Sequence, residues 1–136
     1  MSIVSIRAAL ENKLATVSTN FPTAWENVKF TPKVGTPFQQ AFLLPAEPEN
    51  PTMGDDHHRS VGVFQVSLRY PLLKGSGDAI TRAELIKAAF KRGTSMTSGS
   101  VTVIVERTPE IASGFVDEQE WFVVPVRIRW YADVFS

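Results

Sequence analysis

From Ile3 to Val17 the apolar residues Ile3, Ile6, Leu10, Leu14 and Val17 recur at steps of three and four, and Arg7, Glu11, Asn12 and Lys13 fall largely on the other side. That spacing predicts an amphipathic helix. Ser2 suits its N-cap, and Pro22 ends it by biasing Phe21 away from helical geometry. The period then changes to two. Trp25–Phe30 reads as a short strand, and "TPKVGTP" turns the chain. Phe38–Leu44 carries apolar residues on both faces, the pattern of a strand covered on both sides. Val61–Tyr70 alternates most cleanly: Phe64, Val66, Leu68 and Tyr70 point one way, and Val63, Gln65, Ser67 and Arg69 the other. A second helix is predicted over Ala79–Lys91, with Asp78 as N-cap and an apolar side of Ile80, Ala83, Ile86 (Leu85 beside it), Ala89 and Phe90. Lys91 and Arg92 suit its C-terminal dipole, and Gly93 a left-handed C-terminal position. Strands follow at Val101–Arg107 and Trp121–Ala132. Pro125 cannot donate to a ladder, which predicts an edge or a bulge there.

The order of helix, strands, helix, strands defines an α+β domain over residues 1–136. Its sheet should be largely antiparallel or mixed, with two main helices on one face. Pro45–Ser60 and Thr108–Glu120 read as exposed loops. The first is about 16 residues long, a length that is uncommon without a function.

Charge removes several classes. Lysine plus arginine (14) balances aspartate plus glutamate (14), so the basic excess of a phosphate-binding protein is missing, and nucleic acid is not the expected partner. Near-zero net charge permits self-association. With no cysteine, disulfides, thiolate zinc sites and cysteine nucleophiles are excluded. The N-terminus lacks a signal-peptide core. The longest apolar run, "WFVVPV", is far short of the ~20 residues of a membrane helix. The chain is therefore expected in the cytoplasm where it is made, without a membrane anchor.

The concentrated metal-ligand types are Asp55, Asp56, His57 and His58, in "GDDHHRSVGVFQV". Neighbouring side chains of an extended chain point to opposite sides, and no third histidine or HExxH supplies a catalytic zinc frame. A charged, solvated loop is the simpler reading, and any ion held there would be a hard one such as Mg2+, bound weakly. "GSGD" before the second helix lacks the lysine and hydroxyl of a phosphate loop and reads as a turn. No nucleophile elbow or triad is visible. No catalytic residue or cofactor is assigned. Trp121, Arg127, Arg129 and Tyr131 share one face of the last strand, and aromatic residues with arginine on an exposed face suit a protein–protein contact.

Three segments in order carry a resemblance: "AWENVKFTPKVGTPFQQAFLLPAEP", "RSVGVFQVSLRYPLLKGSGDAITRAELIKAAFKRGT" and "WFVVPVRIRWYA". The pattern is a Trp-Glu-Asn strand (Trp25, Glu26, Asn27), an apolar strand ending in proline, a "G-[VI]-[FY]-Q-V" strand (Gly62–Val66), a Gly-rich turn, a helix ending Phe-x-x-Gly (Phe90–Gly93), and a final aromatic and basic strand. Over most of residues 1–132 this resembles the tail-terminator-like proteins of long-tailed phages and prophages. The resemblance implies a structural, non-enzymatic assembly protein of the virion tail. It would form a homo-oligomeric ring, typically a hexamer, on the tail tube, end tube polymerisation, and offer the head-connector a joining surface at the tail–head junction, assembling in the host cytoplasm. Under that reading the contact residues are Trp121, Arg127, Arg129 and Tyr131, with Asp55, Asp56 and Arg59 of the first loop. The alternatives are another neck or minor tail component, or a small metal-dependent hydrolase built on residues 55–58.

Overall fold

The computed structural model describes residues 2–17, 21–33, 35–46, 57–72, 77–117 and 121–135. Helix α1 (Ser2–Val17) is followed by strands β1 (Thr23–Ala24), β2 (Phe38–Pro45) and β3 (His57–Pro71). Helix α2 (Gly77–Ala89) precedes β4 (Ser95–Ser98), β5 (Val101–Val105), β6 (Glu110–Ile111), β7 (Phe115–Asp117) and β8 (Trp121–Phe135). One sheet runs β1-β2-β3-β8-β5-β4, with β6 and β7 also paired to β8. Only β1–β2 is parallel. This is the α+β fold with a mixed, largely antiparallel sheet that the periodicity predicts.

The spine is the β3–β8 ladder, which runs in constant register from His57↔Phe135 to Pro71↔Trp121. Because side chains alternate, this register puts Phe64, Val66 and Leu68 on the same face as Ile128, Val126 and Val124, and all six are fully buried. Ile6, Leu10 and Leu14 of α1 and Ala79, Ala83 and Ile86 of α2 close over that face in one continuous cluster. Burying each large side chain there contributes roughly 1.5–3 kcal/mol.

Both helices form, with departures from their predicted stripes: Ile3 of α1 is exposed, and α2 begins at Gly77, so that Asp78 lies in its first turn and not at the N-cap. In α2, Ala79 is buried while Ile80 and Leu85 are exposed. The small pair Ala79 and Ala83 lets the helix lie close to the sheet, and Ile86 and Phe90 fill the space beyond. Gly93 takes the expected left-handed conformation (φ 87°), and its N–H donates to the Val105 carbonyl, turning the chain into β4.

Three predicted segments need correction. Trp25–Phe30 is not a strand: Asn27 is left-handed (φ 57°) and the Val28 N–H donates to the Trp25 carbonyl, a turn that asparagine tolerates. The strand of that region is the two-residue β1, held by the buried Gln39, whose Nε2 donates to Thr23 Oγ1 at 3.0 Å. The predicted Pro45–Ser60 loop is strand at both ends, since Pro45 belongs to β2 and residues 57–60 to β3; residues 47–56 lie outside the described residues. The Thr108–Glu120 connection contains β6 and β7, both paired to β8. Pro125 sits inside a long paired strand. Its carbonyl accepts from the Ala112 N–H, on the side where β6 has ended and β7 has not begun, so the missing donor breaks no ladder bond. The chain advances four residues from Ile111 to Phe115 while β8 goes back three from Val126 to Val123, which is the expected bulge, carried by the neighbouring segment.

Among the described residues no helix is long and apolar enough to cross a membrane.

Candidate functional site

The other face of the spine is built from odd-numbered residues of β3 and β8; among the described residues no helix covers it, although Ser67, Val123 and Pro125 toward the Trp121 end are buried. Its charges come mainly from arginine. Arg59 binds Asp133 in a fork, Nε to Oδ1 at 2.9 Å and Nη2 to Oδ2 at 3.1 Å, and its guanidinium lies 4.5 Å from the centre of the Tyr131 ring. Arg127 Nε donates to Gln65 Oε1 at 3.2 Å, with Glu110 more loosely placed at 3.9 Å. Arg69 is held by Gln40 (2.7 Å) and Asp117 (2.6 Å). Arg129 is exposed and has no side-chain hydrogen bond or ion pair among the described residues, although its backbone is fixed by the β3 ladder and by the Glu106 N–H, which donates to its carbonyl.

Arg129 stands at the junction of two depressions. One, about 430 Å³, has Leu44, Val61 and Val63 as its apolar part and Arg59, Glu106 and Tyr131 around it. The other, about 290 Å³, adjoins it through Val63 and Arg129 and is bounded by Arg107, Glu110 and Arg127. Together they form an open groove across the sheet, with a rigid floor and a cationic middle. Such a surface can recognise carboxylates, because guanidinium groups present paired N–H donors.

The structure brings together four of the sequence-predicted contact residues: Arg59, Arg127, Arg129 and Tyr131. It separates Trp121 from them. Trp121 lies eight residues along β8 from Arg129, about 26 Å at strand rise. Its ring packs edge-on against Phe38 at 5.0 Å, and Phe38 in turn stacks on Phe30 at 5.0 Å. Trp121 is therefore part of an aromatic cluster at the far end of the sheet. Asp55 and Asp56 lie outside the described residues. His57 and His58 belong to β3, in register with Phe135 and Val134, not to a loop. Among the described residues no three His, Asp or Glu side chains gather as metal ligands.

Two features escape sequence reasoning. Asp133, the partner of Arg59, lies just past the predicted end of the last strand; the period of two that continues from Tyr131 was its signal. Glu26 lies in the Trp-Glu-Asn pattern but works as a clasp. Its Oε1 accepts from the Leu43 N–H at 2.7 Å and from Arg7 at 3.0 Å, tying α1 to the outer edge of β2. Burial pushes the Glu26 carboxyl up, but the Leu43 N–H and the Arg7 guanidinium outweigh it, and its pKa falls below the ordinary 4.5. A carboxylate on that edge N–H also blocks strand addition there.

The sequence profile of the family described as phage tail terminator protein matches residues 5–130. The chain belongs to this family, and its role lies in the assembly of phage tails. One solved structure, whose own title states no activity, superposes with a TM-score of 0.81 at 30% identity, covering 100% of this chain and 98% of that one. No curated protein matches the chain.

Proposed function

We propose that the protein forms a closed ring, a hexamer, on the end of the tail tube, where it stops further polymerisation and presents the surface to which the head joins. The observation that supports this reading, beyond family membership, is the arginine groove, which is preformed on two long paired strands and which no helix covers among the described residues. Ring closure requires a heterologous contact, in which one patch of each subunit meets a different patch of the next. A neutral chain with both signs of charge on its surface allows such contacts without long-range repulsion.

Two measurements test the proposal. Sedimentation velocity on the purified protein should show one species six times the chain mass; a strict monomer at high concentration, with and without Mg2+, overturns the ring. Electron microscopy of particles assembled without the protein should show overlong tails. Tails of normal length that fail to join heads would assign it instead to the neck.

A further inference from the structure

Most carboxylates of the described residues face a guanidinium of their own chain. Glu11 and Glu26 meet Arg7, Asp133 meets Arg59, Asp117 meets Arg69, and Glu106 and Glu110 stand 3.9 Å from Arg107 and Arg127. Among the described residues Asp78 and Glu84 are left without an ion pair, and both belong to α2. Asp78 borders a depression with Tyr70 and Arg82, whereas Glu84 stands on the outer surface of the helix. Residues three and four apart share a helix face, so α2 turns Ala79, Ala83 and Ile86 to the core and Thr81, Glu84, Leu85 and Ala88 outward, all four of them exposed. Leu85 is a large apolar side chain with 49% of its surface in solvent. The outside of α2 is thus a small apolar ridge that carries an unmatched carboxylate.

We propose that the groove around Arg129 receives the outer face of α2 from a second copy of this chain, with Glu84 on Arg129 and Leu85 against the apolar part of the groove. The two surfaces match in kind. Arg129 is exposed and has no side-chain partner among the described residues, and Leu44 beside it, also 49% exposed, joins Val61 and Val63 as an apolar wall. Contact between Leu85 and that wall removes water from around the charges, so the attraction of Glu84 to Arg129 strengthens. The pairing cannot form within one chain. Helix α2 packs on the buried face of the β3–β8 ribbon and the groove lies on the other, so the sheet itself stands between Glu84 and Arg129. Each copy therefore donates a helix on one side and accepts one on the opposite side, the heterologous arrangement that a ring needs. The assignment rests on the ring reading above and specifies which surfaces meet in it.

The test is a charge swap followed by sedimentation velocity at matched concentration, with circular dichroism melts to confirm folding. Arg129→Glu should weaken self-association roughly tenfold or more, because it brings like charges together, and Glu84→Arg should do the same. Combining both substitutions in one chain should restore assembly. So should an equimolar mixture of the two single variants, since copies that alternate around the ring then meet only opposite charges. Arg129→Ala and Glu84→Ala serve as second variants if a reversed charge disturbs folding, and each should still weaken assembly. Wild-type rings together with unchanged Arg129→Glu and Glu84→Arg rings overturn the contact but leave the ring. A wild-type monomer overturns both. If each single variant weakens the ring but neither the double variant nor the mixture restores it, the two residues do not meet and the proposal fails. It also fails if the ring mass is unchanged and only the melting temperature or binding to tail tubes is lost.

Discussion

The two faces of the β3–β8 ribbon come from the same residues taken alternately, yet they use opposite physics. On the helix-covered face Phe64, Val66, Leu68, Val124, Val126, Ile128 and Trp130 are fully buried, and stability follows from area removed from water and from close packing. On the open face Arg59, Gln65, Arg69, Arg127 and Arg129 are held by geometry more than by burial. Exposed ion pairs of that kind contribute roughly 0–1 kcal/mol each. One face therefore makes the fold, and the other is free to carry recognition at little cost to stability. The lesson is that period-two alternation separates these duties over the half of the ribbon that carries Arg59, Arg127 and Arg129, whereas toward Trp121 both faces are buried, as at Ser67 and Val123.

The comparison breaks most visibly in the core. Phe64→Ala empties a site packed against Phe90, whose ring centre is 6.3 Å away, and should cost about 3–5 kcal/mol in a denaturant melt. A loss under 1 kcal/mol would mean the inner face is not the stabilising one. Next comes Gly62, where the faces constrain each other. A β-carbon there would stand 2.6 Å from the Leu44 carbonyl oxygen and 2.8 Å from the Trp130 ring. Gly62→Ala forces backbone or tryptophan to move and should destabilise by about 1–3 kcal/mol, read as a lowered melting midpoint.

The Glu26 clasp should give a smaller effect. Glu26→Ala removes two charge-assisted hydrogen bonds, from the Leu43 N–H and from Arg7, and should cost about 1–2 kcal/mol because both are partly exposed. Because the folded pKa lies below 4.5, the contribution is present above that pH and is lost as pH falls through the folded value. Wild-type stability should therefore decline on acidification below about pH 4.5 more steeply than that of Glu26→Gln, and parallel curves would remove the clasp from the account. Smallest of all, Arg129→Ala should change stability by less than about 0.5 kcal/mol while altering self-association. A large drop in melting temperature would show that this residue supports the fold.

How much of this was legible beforehand varied by element. Ile6, Leu10 and Leu14 announced α1, and Phe64 to Tyr70 announced β3, because burial on one face imposes a period that composition cannot imitate. The family pattern was visible for a related reason, although its meaning was not. Gly62 of the "G-[VI]-[FY]-Q-V" segment marks the space that Trp130, 68 positions later, occupies. Glu26 of Trp-Glu-Asn sits in a turn rather than a strand, since a left-handed asparagine leaves no periodic trace. Trp121 and Tyr131 looked equivalent on one strand face, but only the position of Phe38 shows that Trp121 packs in an aromatic cluster.

The sequence alone determined the two helices and the long alternating strands, and for β3 and β8 which side is apolar, because these follow from spacing between near neighbours; the buried side of α2 was not among them, since Ala79 is buried where Ile80 and Leu85 are exposed. Tertiary structure decided what those sides meet. The constant register of β3 on β8 aligned Arg59 with Asp133 and gathered Arg127, Arg129 and Tyr131 around one groove. Register is set by cross-strand packing between residues far apart in the chain, and a slip of one residue would have sent every arginine to the core.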